Sequence, residues 1–130
     1  KVIVLDEVQN LDHKEGSPLS KYLREGRKFG VSLILATQTM SGMKKDERDR
    51  MFMADHKLFF RPADTELKAF AEIAALASRG RVDDWLHKLS SLLKGECYSI
   101  GRILDPSGEK LVPRALKIRI TALEERGFHE

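Results

Sequence analysis

Val2-Ile3-Val4-Leu5-Asp6-Glu7 sets four consecutive aliphatic side chains, three of them β-branched, directly before two carboxylates. A run this short and this apolar predicts a strand buried on both faces, as in a parallel sheet. Residues 31–36 repeat the pattern. Between the two runs, Gly16-Ser17-Pro18 supplies a cap and a first-turn proline for a helix over residues 18–29, and Gly30 closes it. Leu19, Tyr22, Leu23 and Phe29 form its expected apolar stripe. Strand, helix and strand in this order make a right-handed βαβ unit, so the carboxyl ends of both strands share one edge of the sheet. Asp6-Glu7 and Thr37-Gln38 are expected to be neighbours there.

Further along, Lys44-Lys45-Asp46-Glu47-Arg48-Asp49-Arg50 alternates in charge, as a solvated helix face does, and leads to Met51, Phe52 and Met53. Residues 57–60 read as a third strand, stopped by Pro62. Asp64-Thr65-Glu66 opens an Ala-rich helix to Ser78 with Leu67, Phe70, Ile73, Ala74 and Ala77 on one face, and Arg79-Gly80-Arg81 breaks it. A following helix, from Asp83 or Asp84 to Leu93, is expected to turn Trp85, Leu86, Leu89, Leu92 and Leu93 inward. Residues 96–103 and 110–120, joined through Asp105-Pro106-Ser107-Gly108, predict a β-hairpin. The expected fold class is α/β, a mainly parallel sheet with flanking helices and a terminal β-hairpin. Over 130 residues, 42% apolar and 33% charged side chains suit one globular domain and exclude wholesale disorder.

The net charge of +3 is too small an excess, without a basic block interleaved with aromatics, for a dedicated basic nucleic-acid-binding domain. One cysteine, Cys97, excludes an internal disulfide framework and fits a reducing, cytoplasmic setting. It lies in an expected strand with no base beside it, as a core residue does. His13, His56, His87 and His129 show no metal-ligand spacing. The apolar runs at residues 2–5, 31–36 and 58–60 fall far short of the roughly 20 residues that span a bilayer. Lys1, rather than Met, leads straight into the first strand, so the chain is expected to begin in mid-fold, as a piece of something longer.

A hydrophobic strand ending in two carboxylates is the arrangement that nucleotide-hydrolysing P-loop proteins use at their second phosphate motif. One carboxylate can hold the hydration shell of a nucleotide-bound Mg²⁺, and the other can orient or deprotonate the attacking water. Strand-terminal acidic pairs also occur as solvated turn residues, and basic residues late in a helix favour its dipole without any further role. It is the order that is specific. Residues 2–7, then Gly26-Arg27-Lys28-Phe29-Gly30, then Leu35-Ala36-Thr37-Gln38 together resemble the HerA and FtsK group of hexameric DNA-pumping ATPases.

The resemblance implies the C-terminal half of a RecA-like P-loop NTPase core, with ATP and Mg²⁺ as cofactors and DNA as the partner of a hexameric ring. It gives Asp6 the magnesium, through water, and Glu7 the attacking water. Arg27 corresponds to an arginine finger reaching into the next subunit's site, and Gln38 to the polar sensor of the γ-phosphate. More narrowly, Leu11, Ser17-Pro18-Leu19 and Lys117-Ile118-Arg119-Ile120-Thr121 resemble the HerA-like ATPases of phosphorothioation-dependent DNA restriction. The departure is equally plain. A phosphate loop needs Gly-Lys followed by Ser or Thr, and no glycine here precedes a lysine. Residues 1–130 are thus expected to be one partial domain whose phosphate loop lies upstream, inactive alone and prone to self-associate through an unpaired strand edge. In such a ring, the segment holding Met40, Met43, Lys44, Lys45, Arg48 and Arg50 would face DNA, although Asp46, Glu47 and Asp49 nearly cancel its charge. The competing reading is a noncatalytic interaction or DNA-binding module on a degenerate ATPase scaffold.

Overall fold

The computed structural model describes residues 1–127; His129 lies outside them. The chain divides into two compact units, Lys1–Ala54 and a second that begins at Asp55.

In the first unit, β1 (Val2–Leu5) pairs in parallel with β2 (Ser32–Leu35), in the register Val2 with Ser32 through Leu5 with Leu35. The connection is α1 (Pro18–Glu25), followed by a 3-10 turn over Gly26–Phe29. Ser17 caps α1 by accepting the Ser20 N–H at 3.2 Å, and Pro18 takes the first helical position, where no N–H is needed. Gly30 closes the turn in the left-handed region, which costs a residue without a Cβ little. Gly26 is buried because the chain doubles back on it: Val31 N–H donates to Gly26 O at 2.9 Å, and a Cβ at position 26 would lie 3.1 Å from Val31 O. α2 (Lys45–Met51) follows β2, its start fixed by the Glu47 carboxylate accepting the Lys44 N–H at 3.0 Å.

Two expectations for this unit are corrected. β1 and β2 are not buried on both faces: Val2, Val4 and Ile34 are exposed, on a sheet only two strands wide. In α1 and its extension Leu19 is buried, whereas Tyr22 and Phe29 face outward; the change to a 3-10 turn at Gly26 rotates Phe29 off the helical stripe.

The second unit holds β3 (Lys57–Phe60), α3 (Leu67–Ser78), α4 (Val82–Ser90), β4 (Glu96–Leu104) and β5 (Leu111–Arg119). Its sheet has the order β3-β4-β5 and is antiparallel throughout. The sheet content is therefore not mainly parallel. A tight turn joining β4 to β5 permits only antiparallel pairing. That turn is held by Asp105, whose carboxylate accepts the Ser107 hydroxyl at 2.7 Å and the Glu109 N–H at 3.2 Å.

α3 ends at Arg79, itself left-handed at φ 56°, and Gly80 N–H closes back on Ala75 O. One face of the sheet meets α3 and α4. Phe59 stands edge-on to Phe70 at 6.5 Å, and Tyr98 edge-on to Trp85 at 5.1 Å. Trp85, Leu89, Leu92, Ala71, Ala74 and Cys97 are fully buried, and the Trp85 indole N–H donates to Ser78 Oγ at 2.7 Å. Leu93 is exposed rather than inward, because α4 stops at Ser90. Burial pushes the Cys97 thiol up, away from the reactive thiolate form, as a core residue requires.

Candidate functional site

The parallel pairing of β1 and β2 brings their carboxyl ends to one edge. Beyond the last paired residues, Ala36 N–H donates to Leu5 O at 2.9 Å, and Val8 N–H donates to Ala36 O at 3.1 Å. The two chains leave the sheet side by side, Asp6-Glu7 on one and Thr37-Gln38 on the other. Asp6, Glu7 and Gln38 are exposed. Thr37 Oγ1 ties the corner by sharing its proton between Gln9 Oε1 at 2.8 Å and Thr39 O at 2.7 Å.

The corner after β1 is a built turn. Glu7 holds the left-handed conformation at φ 50°, ψ 46°, a place non-glycine residues occupy at a cost of roughly 1–2 kcal/mol. Asp6 helps to keep it there, accepting the Glu7 N–H through Oδ1 at 2.8 Å. Val8 then buries completely and begins a 3-10 turn over Val8–Asn10. Behind it, the buried His13 ring donates from Nε2 to Val8 O. Glu7 is thus itself the strained residue, exposed and flanked by the Asp6 hydrogen bond and the buried Val8.

Arg27 lies elsewhere. The 3-10 turn that carries it runs into the start of β2, where Ser32 N–H donates to Lys1 O at 2.8 Å. This is the amino edge of the sheet, separated from the Asp6-Glu7 edge by a four-residue strand, about 13 Å. The fold brings Asp6, Glu7 and Gln38 together and sets Arg27, exposed, at the opposite end.

The segment after Gln38 is largely used by the fold. Met40 and Met43 are buried, Arg48 donates to Met40 O at 3.2 Å, and Arg50 pairs with Asp46 at 3.1 Å. Only Lys44 and Lys45 of its expected DNA-facing basic and methionine side chains stand exposed. Among the described residues no cluster of His, Cys, Asp and Glu is placed to hold a metal directly, and no helix is long and apolar enough to cross a membrane. Gln9 and His13 carry no motif signal; their part in the corner appears only when the loop closes on β2.

No protein-family model matches the sequence, and no curated protein matches it. Two solved structures of the genome packaging NTPase B204 from Sulfolobus turreted icosahedral virus 2 are similar to the chain, one in complex with ATP-gammaS and one with AMP. Each is 20% identical over 86% of this chain, with TM-scores of 0.53 and 0.54. The chain spans about half the length of that NTPase, 50% of it in each comparison. At this identity the likeness shows a shared mixed α/β fold.

Proposed function

We propose that the chain is the C-terminal portion of an ATPase core of the HerA and FtsK type, coupling ATP hydrolysis to DNA translocation or remodelling. The observation that carries this reading is the common edge on which Asp6, Glu7 and Gln38 emerge from two parallel strands, locked by the Leu5, Ala36 and Val8 hydrogen bonds. ATP with its Mg²⁺ would sit there. Asp6 would hold the magnesium through its hydration shell, Glu7 would take the proton of the attacking water, and the Gln38 amide would report the γ-phosphate. The fold shared with a nucleotide-bound genome packaging NTPase supports the same reading.

The position of Arg27 supports action between subunits. A guanidinium on the amino edge of its own sheet cannot serve the opposite edge, yet it is free to reach the nucleotide of a neighbour in a homo-oligomeric, hexameric ring. The ring, the DNA partner and the cytoplasmic setting belong to this proposal, as does a phosphate loop upstream of Lys1. A place in phosphorothioation-dependent DNA restriction rests on the short similarities at Leu11, Ser17–Leu19 and residues 117–121. The second reading, a noncatalytic interaction module, draws on the lack of any Gly-Lys pair.

The test uses a longer form of the protein that carries a phosphate loop. Glu7→Gln and Arg27→Ala each abolish ATP turnover, and mixing the two restores part of it, because each lacks a different half of the shared site. Turnover unchanged in both variants would overturn the ATPase roles and favour the interaction module. On this reading the 130-residue chain, with exposed Val2, Val4 and Ile34 beside unpaired strand edges, self-associates at high concentration. Light scattering that finds only monomer rejects that part.

A further inference from the structure

The second unit contains a cavity of about 490 Å³ between the carboxyl end of α3 and the β4–β5 hairpin. Its size falls within the range of small-molecule sites. Ala77, Ser78 and Arg79 form one wall, and the sheet forms the other. Strand pairing tells which side chains the sheet contributes. Lys57 pairs with Ile100 and Ile100 with Ala115, so these three share a face, and Arg102 with its partner Pro113 continues it two residues on. Arg114 pairs with Gly101 and so belongs to the opposite face, lending the cavity its backbone.

Three cations, Lys57, Arg79 and Arg102, therefore converge on a cavity whose one carboxylate is Asp55. Allowing for Asp55 and for roughly half a negative charge at the helix carboxyl end, about one and a half positive charges remain in excess. Neither Arg79 nor Arg102 forms an ion pair among the described residues. Burial lowers the Lys57 ammonium from its ordinary value, and Asp55 opposes that shift.

We propose that this cavity binds the phosphate oxyanions of a phosphodiester backbone or a polyphosphate, gripped by Arg79 and Arg102 with Lys57 at the base. Planar guanidinium groups suit such oxygens because they donate in pairs. The proposal rests on the second unit alone and does not depend on the ATPase reading.

The 130-residue chain is titrated with tripolyphosphate by calorimetry and with a fluorescent oligothymidylate by anisotropy at two salt concentrations. The double variant Arg79→Gln/Arg102→Gln is compared with the charge-matched Lys14→Gln/Lys21→Gln in the first unit. The cavity variant weakens binding about tenfold or more for each guanidinium removed, and the control leaves it unchanged. Asp55→Asn tightens binding a few-fold, a gain that misfolding cannot imitate. Oligothymidylate binding that tripolyphosphate displaces, with a salt slope shallower by about 0.7 for each lost contact, assigns a nucleic-acid backbone as the source. Tripolyphosphate binding without oligothymidylate binding assigns a free polyphosphate. If neither probe binds, or the two charge variants bind alike, the proposal is wrong.

Discussion

Thr37 and Gln9, 28 residues apart, meet at 2.8 Å where β2 and the turn after β1 leave the sheet. The contact joins the backbone that carries Gln38 to the backbone that carries Glu7. On the roles proposed for Glu7 and Gln38, their separation needs such a tie, since both side chains are exposed.

Thr37→Val keeps the shape and removes the hydroxyl. It leaves Gln9 and the Thr39 backbone without that partner, and we expect a loss of about 1 kcal/mol in urea unfolding. In a longer form carrying the proposed phosphate loop, the same change should lower turnover while leaving nucleotide affinity nearly unchanged. A stability loss with normal turnover would show that the tie serves the fold alone.

Gly26→Ala places a Cβ 3.1 Å from Val31 O, on backbone that has little room to retreat. Position 26 has ordinary helical dihedrals, so the cost is crowding rather than strain. We expect a destabilisation of about 1–3 kcal/mol, seen as a lower Tm. Arg27 follows immediately, so on the proposed ring a shifted turn should also reduce the turnover recovered when Glu7→Gln and Arg27→Ala forms are mixed.

Leu89 and Trp85 lie on the inner face of α4, both essentially without solvent exposure. Leu89→Ala should cost about 2–5 kcal/mol, through lost burial and the cavity left behind. Trp85→Phe keeps most of the apolar area but leaves Ser78 Oγ without the indole N–H, and about 1–2 kcal/mol should go. Denaturant unfolding of the two variants ranks them in that order.

The hairpin turn carries a pH dependence. The Ser107 hydroxyl, then the N–H groups of Lys110, Glu109 and Gly108, hold the Asp105 carboxyl below its ordinary value of 3.8. A folded value below the unfolded one means the carboxylate's contribution is fully present above pH 4 or so, and is lost as pH falls through the lower folded value. Protection of the hairpin amides, taken relative to their intrinsic exchange rates, should therefore fall on acidification below about pH 4. Asp105→Asn should flatten that dependence; an unchanged profile would remove Asp105 from its cause.

Much of the local structure is legible without coordinates because its causes are local. Ser17 and Pro18 start α1, Gly30 ends the turn after it, and Arg79-Gly80 stops α3, each through hydrogen bonds spanning a few residues. The β1 and β2 runs are equally plain, and the order of elements between them already requires parallel pairing. Gln9, His13 and the Lys57, Arg79 and Arg102 convergence escape such reading, since nothing in their own neighbourhoods marks them.

By itself, then, the sequence determined the order of strands and helices and several of their caps, and that Asp6-Glu7 and Thr37-Gln38 leave one edge together. Periodicity, capping residues and a short crossover are enough for that, because each acts over one or two turns of chain. Only the tertiary structure decided that the later strands form their own antiparallel sheet, that Val2 and Val4 stand exposed, and that three cations line one cavity. Those outcomes depend on register and on which surfaces remain to cover a face, and both are settled between residues far apart in the chain.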